Sequence, residues 1–145
     1  LPLLKDGDLG RIANFARASH AGQMGKYADY NEPYIRHVER VVRRCEGDDN
    51  AKAVAWLHDV VEDCNVSLEE LARLVQPHIV YAVGLLTRPK APHNYLAHIE
   101  SIRDSKNALA IKVKIADLQD HLRHDSLPAW KRARYTTALN MLCKG

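Results

Sequence analysis

Apolar side chains recur every three or four residues along most of this 145-residue chain, which is the spacing of amphipathic α-helices. Runs of alternating Val, Ile, Thr and aromatic residues, which predict strands, are missing from the sequence. The clearest helix is a long one from about residue 106 to 122, whose buried stripe is expected to be Ala108, Ile111, Ile115, Leu118 and Leu122. The pattern as a whole predicts an all-α bundle of about seven to eight helices.

Turn and capping residues separate the predicted helices. Gly22 ends the first helix, where a glycine can adopt a left-handed cap, and Pro33 is expected at the first position of the second. Ser67 and Glu70 form a capping box that opens a short helix, and Asn94 is expected to cap a later one. A final helix, over residues 128–142, is expected to pack through Trp130, Ala133 or the stem of Arg134, Thr137, Ala138 and Met141.

The third predicted helix concentrates ionisable groups around residues 56–63. His58, Asp59, Glu62 and Asp63 are expected on the side of this helix next to its apolar stripe, because residues three and four apart stack on the same side of a helix. Carboxylates that lie this close repel one another and lose hydration, so a positive charge is expected among them. A divalent cation would supply that charge. The apolar stripe beside them is expected to be Ala53, Val54, Leu57, Val60 and Val61.

A second His-Asp dipeptide, His124-Asp125, serves as an internal comparison. It has no Glu one turn later and is followed by Ser126, Leu127 and Pro128, which predicts the end of a helix and a turn. A His-Asp pair by itself is also typical of a solvated helix face. A metal site therefore needs support from the rest of the chain.

Composition narrows the class of protein. Apolar residues make up 46% and charged residues 27%, which is typical of a soluble globular domain, and the length favours a single domain over residues 1–145. The net charge of +3 suits an anionic small molecule as well as nucleic acid, but no basic run with interleaved aromatic residues favours the latter. No apolar run approaches the roughly 20 residues that span a bilayer, and the N-terminal residues do not resemble a signal peptide. Cys45, Cys64 and Cys143 are odd in number and widely spaced, which indicates reduced thiols and a cytoplasmic protein.

Four metal-capable side chains share one setting, beside a predicted buried stripe rather than within it. They are His37 on the second helix, His58 and Asp59 on the third, and Asp117 on the long late helix. Two imidazoles with two carboxylates suit Mn²⁺, Fe²⁺, Zn²⁺ or Co²⁺ more than Ca²⁺. Helices of a bundle can project such ligands inward to one point.

The order His, then His-Asp, then Asp on successive helices resembles that of the HD-domain metal-dependent phosphohydrolases. Within them the chain is similar to the (p)ppGpp hydrolase branch of the stringent-response enzymes and their small single-domain relatives. The matching segments are residues 18–23, 33–37, 57–63, 67–71 and 113–118. The resemblance implies an HD-domain helical bundle and a metal-dependent (pyro)phosphohydrolase.

The resemblance also implies roles for individual residues. His37, His58, Asp59 and Asp117 would hold one metal ion, Mn²⁺ in this branch, which lowers the pKa of a bound water. Glu62 and Asp63 would position that water and move its proton, so that the 3′-diphosphate of the guanine nucleotide leaves as pyrophosphate. Substrate contacts are expected from Lys26, Tyr34, Tyr95, Lys114 and His121.

Two positions depart from the pattern of the family. Met24 and Gly25 precede Lys26 where an Arg is common, so a bidentate guanidinium grip on phosphate would be absent there. Arg36 and Lys114 are the candidates to compensate. His121 stands where a substrate-binding Asn is usual, four residues after the last metal ligand; it can donate a hydrogen bond but also titrates. Both departures bear on the identity of the nucleotide rather than on the metal chemistry.

The leading hypothesis is therefore a (p)ppGpp 3′-pyrophosphohydrolase. Pocket contacts rather than the metal select the substrate, so a phosphatase acting on another nucleotide such as NADPH is an alternative. A non-catalytic, metal-containing nucleotide sensor is a second alternative, against which the retained Glu62 and Asp63 argue. A helical DNA-binding module has only the mild positive charge in its favour. The expected partner is a small-molecule nucleotide rather than nucleic acid or a membrane, and a homo-oligomer stays open.

Overall fold

The computed structural model describes residues 8–25, 32–90 and 94–144, which form nine α-helices and one isolated β-bridge. The all-α prediction is confirmed. No helix within these ranges is long and apolar enough to cross a bilayer. In chain order the helices are α1 (Asp8–Ser19), α2 (Ile35–Arg43), α3 (Asp49–Leu57), α4 (Val60–Asp63), α5 (Leu68–Ala72), α6 (Pro77–Leu86), α7 (Tyr95–Ser105), α8 (Ala108–Leu122) and α9 (Ala129–Lys144).

Two helices, α3 and α8, form the centre of the bundle. α3 packs against α1, α2, α6 and α8, and α8 also packs against α2, α6, α7 and α9. Ala51, Ala53 and Ala55 of α3 are fully buried, and such small side chains allow neighbouring helices to approach closely. The end of α3, the first turn of α2 and the middle of α8 are thereby brought together.

Capping side chains hold the ends of these helices. The Asp48 carboxylate accepts a hydrogen bond from the Ala51 N–H at the start of α3, and Asn94 and Asn107 do the same for α7 and α8. The capping box of Ser67 with its Glu three residues later is present, and Gly22 has a φ of 84°, so both of these local predictions are confirmed.

The predicted start of the second helix is wrong by two residues. Pro33 does not begin α2 but pairs with Met24 in the isolated bridge, and the Tyr34 N–H donates to the carbonyl of Gln23 at 2.8 Å. α2 begins at Ile35, and Pro33 contributes only its carbonyl, which accepts from the Arg36 N–H. Proline is tolerated at the edge of a strand-like segment as well as in the first turn of a helix, because neither position needs its backbone N–H.

The predicted third helix is divided in two at His58 and Asp59. The Asp59 backbone has φ −112° and ψ −2°, outside regular helical values, and the His58 ring takes the carbonyl of Ala55 that a continuous helix would use. The split explains why the described residues hold nine helices. It also turns the His-Asp pair out of the regular helical spacing.

The predicted buried stripes of the last two helices are confirmed only at Leu118 of α8 and Ala138 of α9, which are fully buried. On α8, Ala108 is exposed and Ile111 and Ile115 are only half-buried, while Leu109, Val113 and the neighbours of Asp117 face the core. On α9, Trp130 is 61% exposed, and the helix buries Tyr135 and Leu142 beside the predicted Ala138. Both helices carry apolar residues on more than one side, so periodicity alone did not determine which side is buried.

Candidate metal centre

The four predicted metal ligands converge at one point. One ligand atom from each of His37, His58, Asp59 and Asp117 lies within 4.8 Å of the other three. Three helical segments contribute them: α2 carries His37, the junction of α3 and α4 carries the His-Asp pair, and α8 carries Asp117. All are buried except Asp59, which is half-buried.

Each histidine is oriented by a hydrogen bond at its other ring nitrogen. His58 Nδ1 lies 2.6 Å from the carbonyl oxygen of Ala55, and since a carbonyl only accepts, Nδ1 carries the proton. His58 Nε2 therefore faces the carboxylates, 3.1 Å from Asp59 and 3.3 Å from Asp117. His37 turns Nε2 to Asp117 at 2.9 Å and Nδ1 to an outer carboxylate. This is the usual arrangement of histidines that bind a metal.

That outer carboxylate is Asp120, a functional residue that the sequence interpretation missed. Asp120 is fully buried, with one oxygen 2.7 Å from His37 Nδ1 and the other accepting from Arg40 Nε at 2.9 Å. Arg40 in turn donates to Glu32 at 2.8 Å. Asp120 lies three residues after Asp117 and so on the same side of α8, which was a usable signal.

The electrostatics of the cluster call for positive charge. Burial by itself lowers the pKa of His58, but Asp59 and Asp117 outweigh it and hold that pKa well above the ordinary histidine value. Burial likewise raises the pKa of Asp117, but Lys114 and the surrounding histidines outweigh it and hold the pKa well below its usual range. Carboxylates that stay ionised beside imidazoles in a buried site fit a divalent cation, and the mixed nitrogen and oxygen donors fit a transition metal.

Tyr34 supports a predicted ligand. Its hydroxyl donates to Asp59 Oδ2 at 2.5 Å, and the centroid of its ring lies 5.4 Å from that of His20 and 5.2 Å from that of His37. Burial, followed by the charge of Asp59, holds the pKa of Tyr34 well above its ordinary value, so the hydroxyl keeps its proton and remains a donor. The structure thus places Tyr34 against the metal cluster.

Two further predicted substrate residues also contact Asp117. Lys114 Nζ donates to Asp117 Oδ2 at 2.9 Å, and His121 Nε2 lies 3.3 Å from Oδ1. The His121 ring is buried in a stack, with its centroid 4.6 Å from that of His37 and 5.2 Å from that of Tyr135. Burial lowers the pKa of His121 despite the nearby carboxylate, which favours the neutral ring.

A group of cations and aromatic rings adjoins Lys114. The Tyr95 ring has Arg134 at 4.3 Å, Arg88 at 5.2 Å and the Lys114 amine at 5.7 Å from its centroid. Arg134 also lies over the exposed ring of Trp130, at 5.2 Å, and its buried Nε has no hydrogen-bond partner among the described residues. Both arginines were missed, because their proximity to Tyr95 depends on the packing of α6, α7 and α9.

The two predicted catalytic carboxylates lie on α4, the turn that follows Asp59. Both are exposed; Glu62 accepts a hydrogen bond from the backbone N–H of Arg88, and Asp63 accepts from the Gln23 amide at 3.3 Å. Partial loss of hydration raises the pKa of Glu62, and the charge of Asp59 adds to this effect. The remaining predicted substrate contact, Lys26, lies outside the described residues.

The chain is similar in sequence to proteins named as guanosine-3′,5′-bis(diphosphate) 3′-pyrophosphohydrolases. No family model matches the chain. It is 33% identical over 99 residues to a guanosine-3′,5′-bis(diphosphate) 3′-pyrophosphohydrolase of Drosophila melanogaster, covering 63% of this chain and 55% of the relative. It is 31% identical over 133 residues to a probable enzyme of the same name from Synechocystis sp., covering 83% of this chain and 17% of the relative. The chain thus spans about half of the first relative and a small part of the second.

A solved structure shares the whole fold. It is that of a metazoan ortholog of SpoT described as hydrolysing ppGpp, and it matches with a TM-score of 0.79 over 99% of this chain and 87% of its own. At 24% identity this match shows the fold alone. Sequence and fold comparisons together confirm the resemblance that the motifs predicted.

Proposed function

We propose that this chain, a relative of the guanosine-3′,5′-bis(diphosphate) 3′-pyrophosphohydrolases, is a single HD-type domain that hydrolyses (p)ppGpp and releases pyrophosphate. The observation that carries the proposal is the convergence of four ligand atoms within 4.8 Å. The three free cysteines support a cytoplasmic location.

The metal would be held by His37, His58, Asp59 and Asp117, with Mn²⁺ the expected ion. When bound, such an ion supplies a more acidic water and neutralises phosphate charge. Asp120 holds Nδ1 of His37 and so fixes the direction in which Nε2 faces the proposed metal position. The Ala55 carbonyl does the same for His58.

Proton transfer is assigned to the exposed end of α4. Glu62 has the features of a general base: its carboxylate is held by a backbone N–H and its raised pKa lies closer to neutrality than that of an ordinary glutamate. Asp63, the next residue, would position the water. α4 is a short turn that begins directly after Asp59, so both carboxylates follow that proposed ligand within four residues.

The cations around Tyr95 are proposed to bind the substrate. Burial opposes the charge of Lys114, but Asp117 and Tyr95 outweigh it and raise the pKa of the lysine, so its ammonium stays charged. Arg134 has a buried Nε for which the described part of the chain offers no hydrogen-bond partner. These charges can compensate for the arginine missing beside Lys26, and the exposed Trp130 ring offers a surface on which a base can stack.

The test is a nucleotide screen of the purified protein with Mn²⁺, using ppGpp, pppGpp and NADPH and measuring pyrophosphate and phosphate separately. Pyrophosphate from the guanosine polyphosphates is expected. Phosphate from NADPH without turnover of ppGpp would favour the alternative phosphatase, and binding without turnover of any nucleotide would favour the sensor.

The variants His58→Ala and Asp59→Ala should abolish activity and metal content. Asp125→Ala is the matched control, since Asp125 belongs to the other His-Asp dipeptide and is exposed in a turn. His124 is a poorer control because its side chain is buried. Activity in both ligand variants would refute the site.

A further inference from the structure

A cavity of about 530 Å³ lies against α8, away from the four proposed metal ligands. Its apolar floor includes Ile111, Ile115 and Leu142. The two isoleucines belong to the stripe that periodicity predicted to be core, but they remain only half-buried because Leu109 and Val113 occupy the core instead. Part of the apolar surface of α8 is therefore available to a ligand.

The cavity is also strongly basic. Four cations line it, from the end of α2, the end of α7 and the start of α8: Arg44, Arg103, Lys106 and Lys112. Within the described ranges, no carboxylate is among its lining residues.

Two of these cations have ion-pair partners outside the lining. Lys112 Nζ lies 3.3 Å from Asp48 Oδ2, and Arg103 Nε lies 3.0 Å from Asp104 Oδ1. Both pairs involve partly exposed side chains, which contribute little to stability and exchange readily with another anion. The cavity therefore retains an excess of positive charge that is available to a ligand.

We propose that this cavity binds a nucleoside polyphosphate, with the base on the apolar floor and the phosphates at the four cations. The volume falls within the range typical of small-molecule sites. A ligand with one flat apolar part and several negative charges matches a floor of isoleucines with cations around it.

The cavity is separate from the metal centre because the two use different sides of one helix. Lys112, Ile115 and Gln119 line the cavity, and their spacing of three and four places them on one side of α8. The residues at the metal centre, Lys114, Asp117 and His121, lie on another side of α8. At 3.6 residues per turn, that side is nearly opposite the one that lines the cavity. The inference therefore does not depend on hydrolysis.

The test is a titration followed by NMR of isoleucine methyl groups, in EDTA so that no metal is bound. The probe is GTP, and the reference is inorganic tripolyphosphate, which carries phosphates but no base. The methyl signals of Ile111 and Ile115 should shift and saturate, while that of the fully buried Ile99 should not move. GTP should bind at least about threefold more tightly than tripolyphosphate, because its base covers apolar surface.

Adjacent arginines at the end of α2 provide a matched pair of variants. Arg44→Gln should weaken GTP binding about 3- to 10-fold, as expected for loss of one charge-assisted hydrogen bond. Arg43→Gln removes the same charge one residue away, outside the lining of the cavity, and should leave the affinity unchanged. Circular dichroism of both proteins checks that the fold is retained.

Several outcomes would overturn the proposal. Unmoved Ile111 and Ile115 signals at saturating GTP would exclude the site, and equal effects of the two arginine variants would reduce it to general surface charge. Affinity for tripolyphosphate equal to that for GTP would exclude a role for the floor. Stronger shifts with single-stranded RNA or with phosphatidylglycerol vesicles would assign the surface to a different partner, and shifts that depend on protein concentration alone would assign it to a second copy.

Discussion

At the scale of the residue, the proposed metal ligands are held in place by hydrogen bonds to residues outside the four-residue cluster. The Asp120 carboxylate joins His37 to Arg40, and all three side chains are linked at distances below 3 Å. A buried carboxylate with two such partners restrains the imidazole more than a solvent-exposed one could. The orientation of His37 therefore depends on residues outside the four proposed ligands.

Asp120→Asn should weaken metal affinity about 10- to 100-fold while leaving all four ligands in place, because the partner of His37 loses its charge. Mn²⁺ titration of the purified variant measures this, and Asp125→Asn, on the exposed turn, is the control. A thermal melt checks that the protein stays folded when Arg40 loses its ion pair with Asp120. Unchanged Mn²⁺ affinity would show that Asp120 has no orienting role.

Glu62→Gln should keep the metal and lower kcat by about 10²- to 10⁴-fold, since it removes a proton acceptor without changing shape. The pKa of Glu62 is raised, so the wild-type rate should fall on acidification at a pH above the ordinary glutamate value, where the base becomes protonated. This acid limb should be absent from the profile of the variant. Glu69→Gln, an exposed change on α5, should alter neither quantity, and a Glu62→Gln protein with normal kcat would exclude the general-base role.

At the scale of the element, the site depends on where helices begin and end. α3 begins at an Asp48 cap and ends where the His58 ring takes the carbonyl of Ala55, so both of its ends are set by side chains. The Asp59 backbone then leaves helical geometry before α4 resumes. A continuous helix would present the His-Asp pair at different angles to Asp117.

Asp48→Ala should lower the free energy of unfolding by about 1 kcal/mol, the usual effect of removing a helix cap. The Ala51 N–H holds the pKa of Asp48 below its ordinary value, so the stabilisation is present at neutral pH and is lost as pH falls through that lowered pKa. Urea unfolding at neutral and acidic pH tests both points. Asp49→Ala, one position into α3, is the control, and an equal loss of stability there would argue against a specific cap.

At the scale of the whole molecule, the bundle gathers charged groups from distant parts of the chain into a buried site. His37 and Asp117 are 80 residues apart in sequence, and His58 and Asp117 are 59 apart. Holding them together without a metal costs free energy, because crowded carboxylates lose hydration. Metal binding should therefore be coupled to the stability of the entire fold.

Mn²⁺ at about 100 times its Kd should stabilise the protein by about 2.7 kcal/mol relative to the protein in EDTA, which corresponds to a rise in Tm of several degrees. Differential scanning calorimetry measures the shift. An Asp117→Asn protein should show little or no Mn²⁺-dependent rise. An equal rise in wild type and variant would place the stabilising ion elsewhere.

The sequence alone determined the helical class, several caps and which four metal-capable side chains converge. These features are encoded locally: helical periodicity, a Ser-Glu capping box and a His-Asp motif each depend on residues within a few positions of one another. Asn94 and Gly22 were correctly assigned for the same reason. Local hydrogen bonds leave little freedom for the rest of the chain to override them.

Only the tertiary structure decided which side of α8 is buried, where α3 breaks and which residues orient the ligands. α8 is apolar on more than one side, so the choice between Ile111 and Val113 as core residues depended on the helices packed around it. Asp120 acquires its role from a histidine 83 residues away, and Arg134 from a tyrosine on another helix. Such contacts are selected by the packing of the whole core, which no local pattern in the chain encodes.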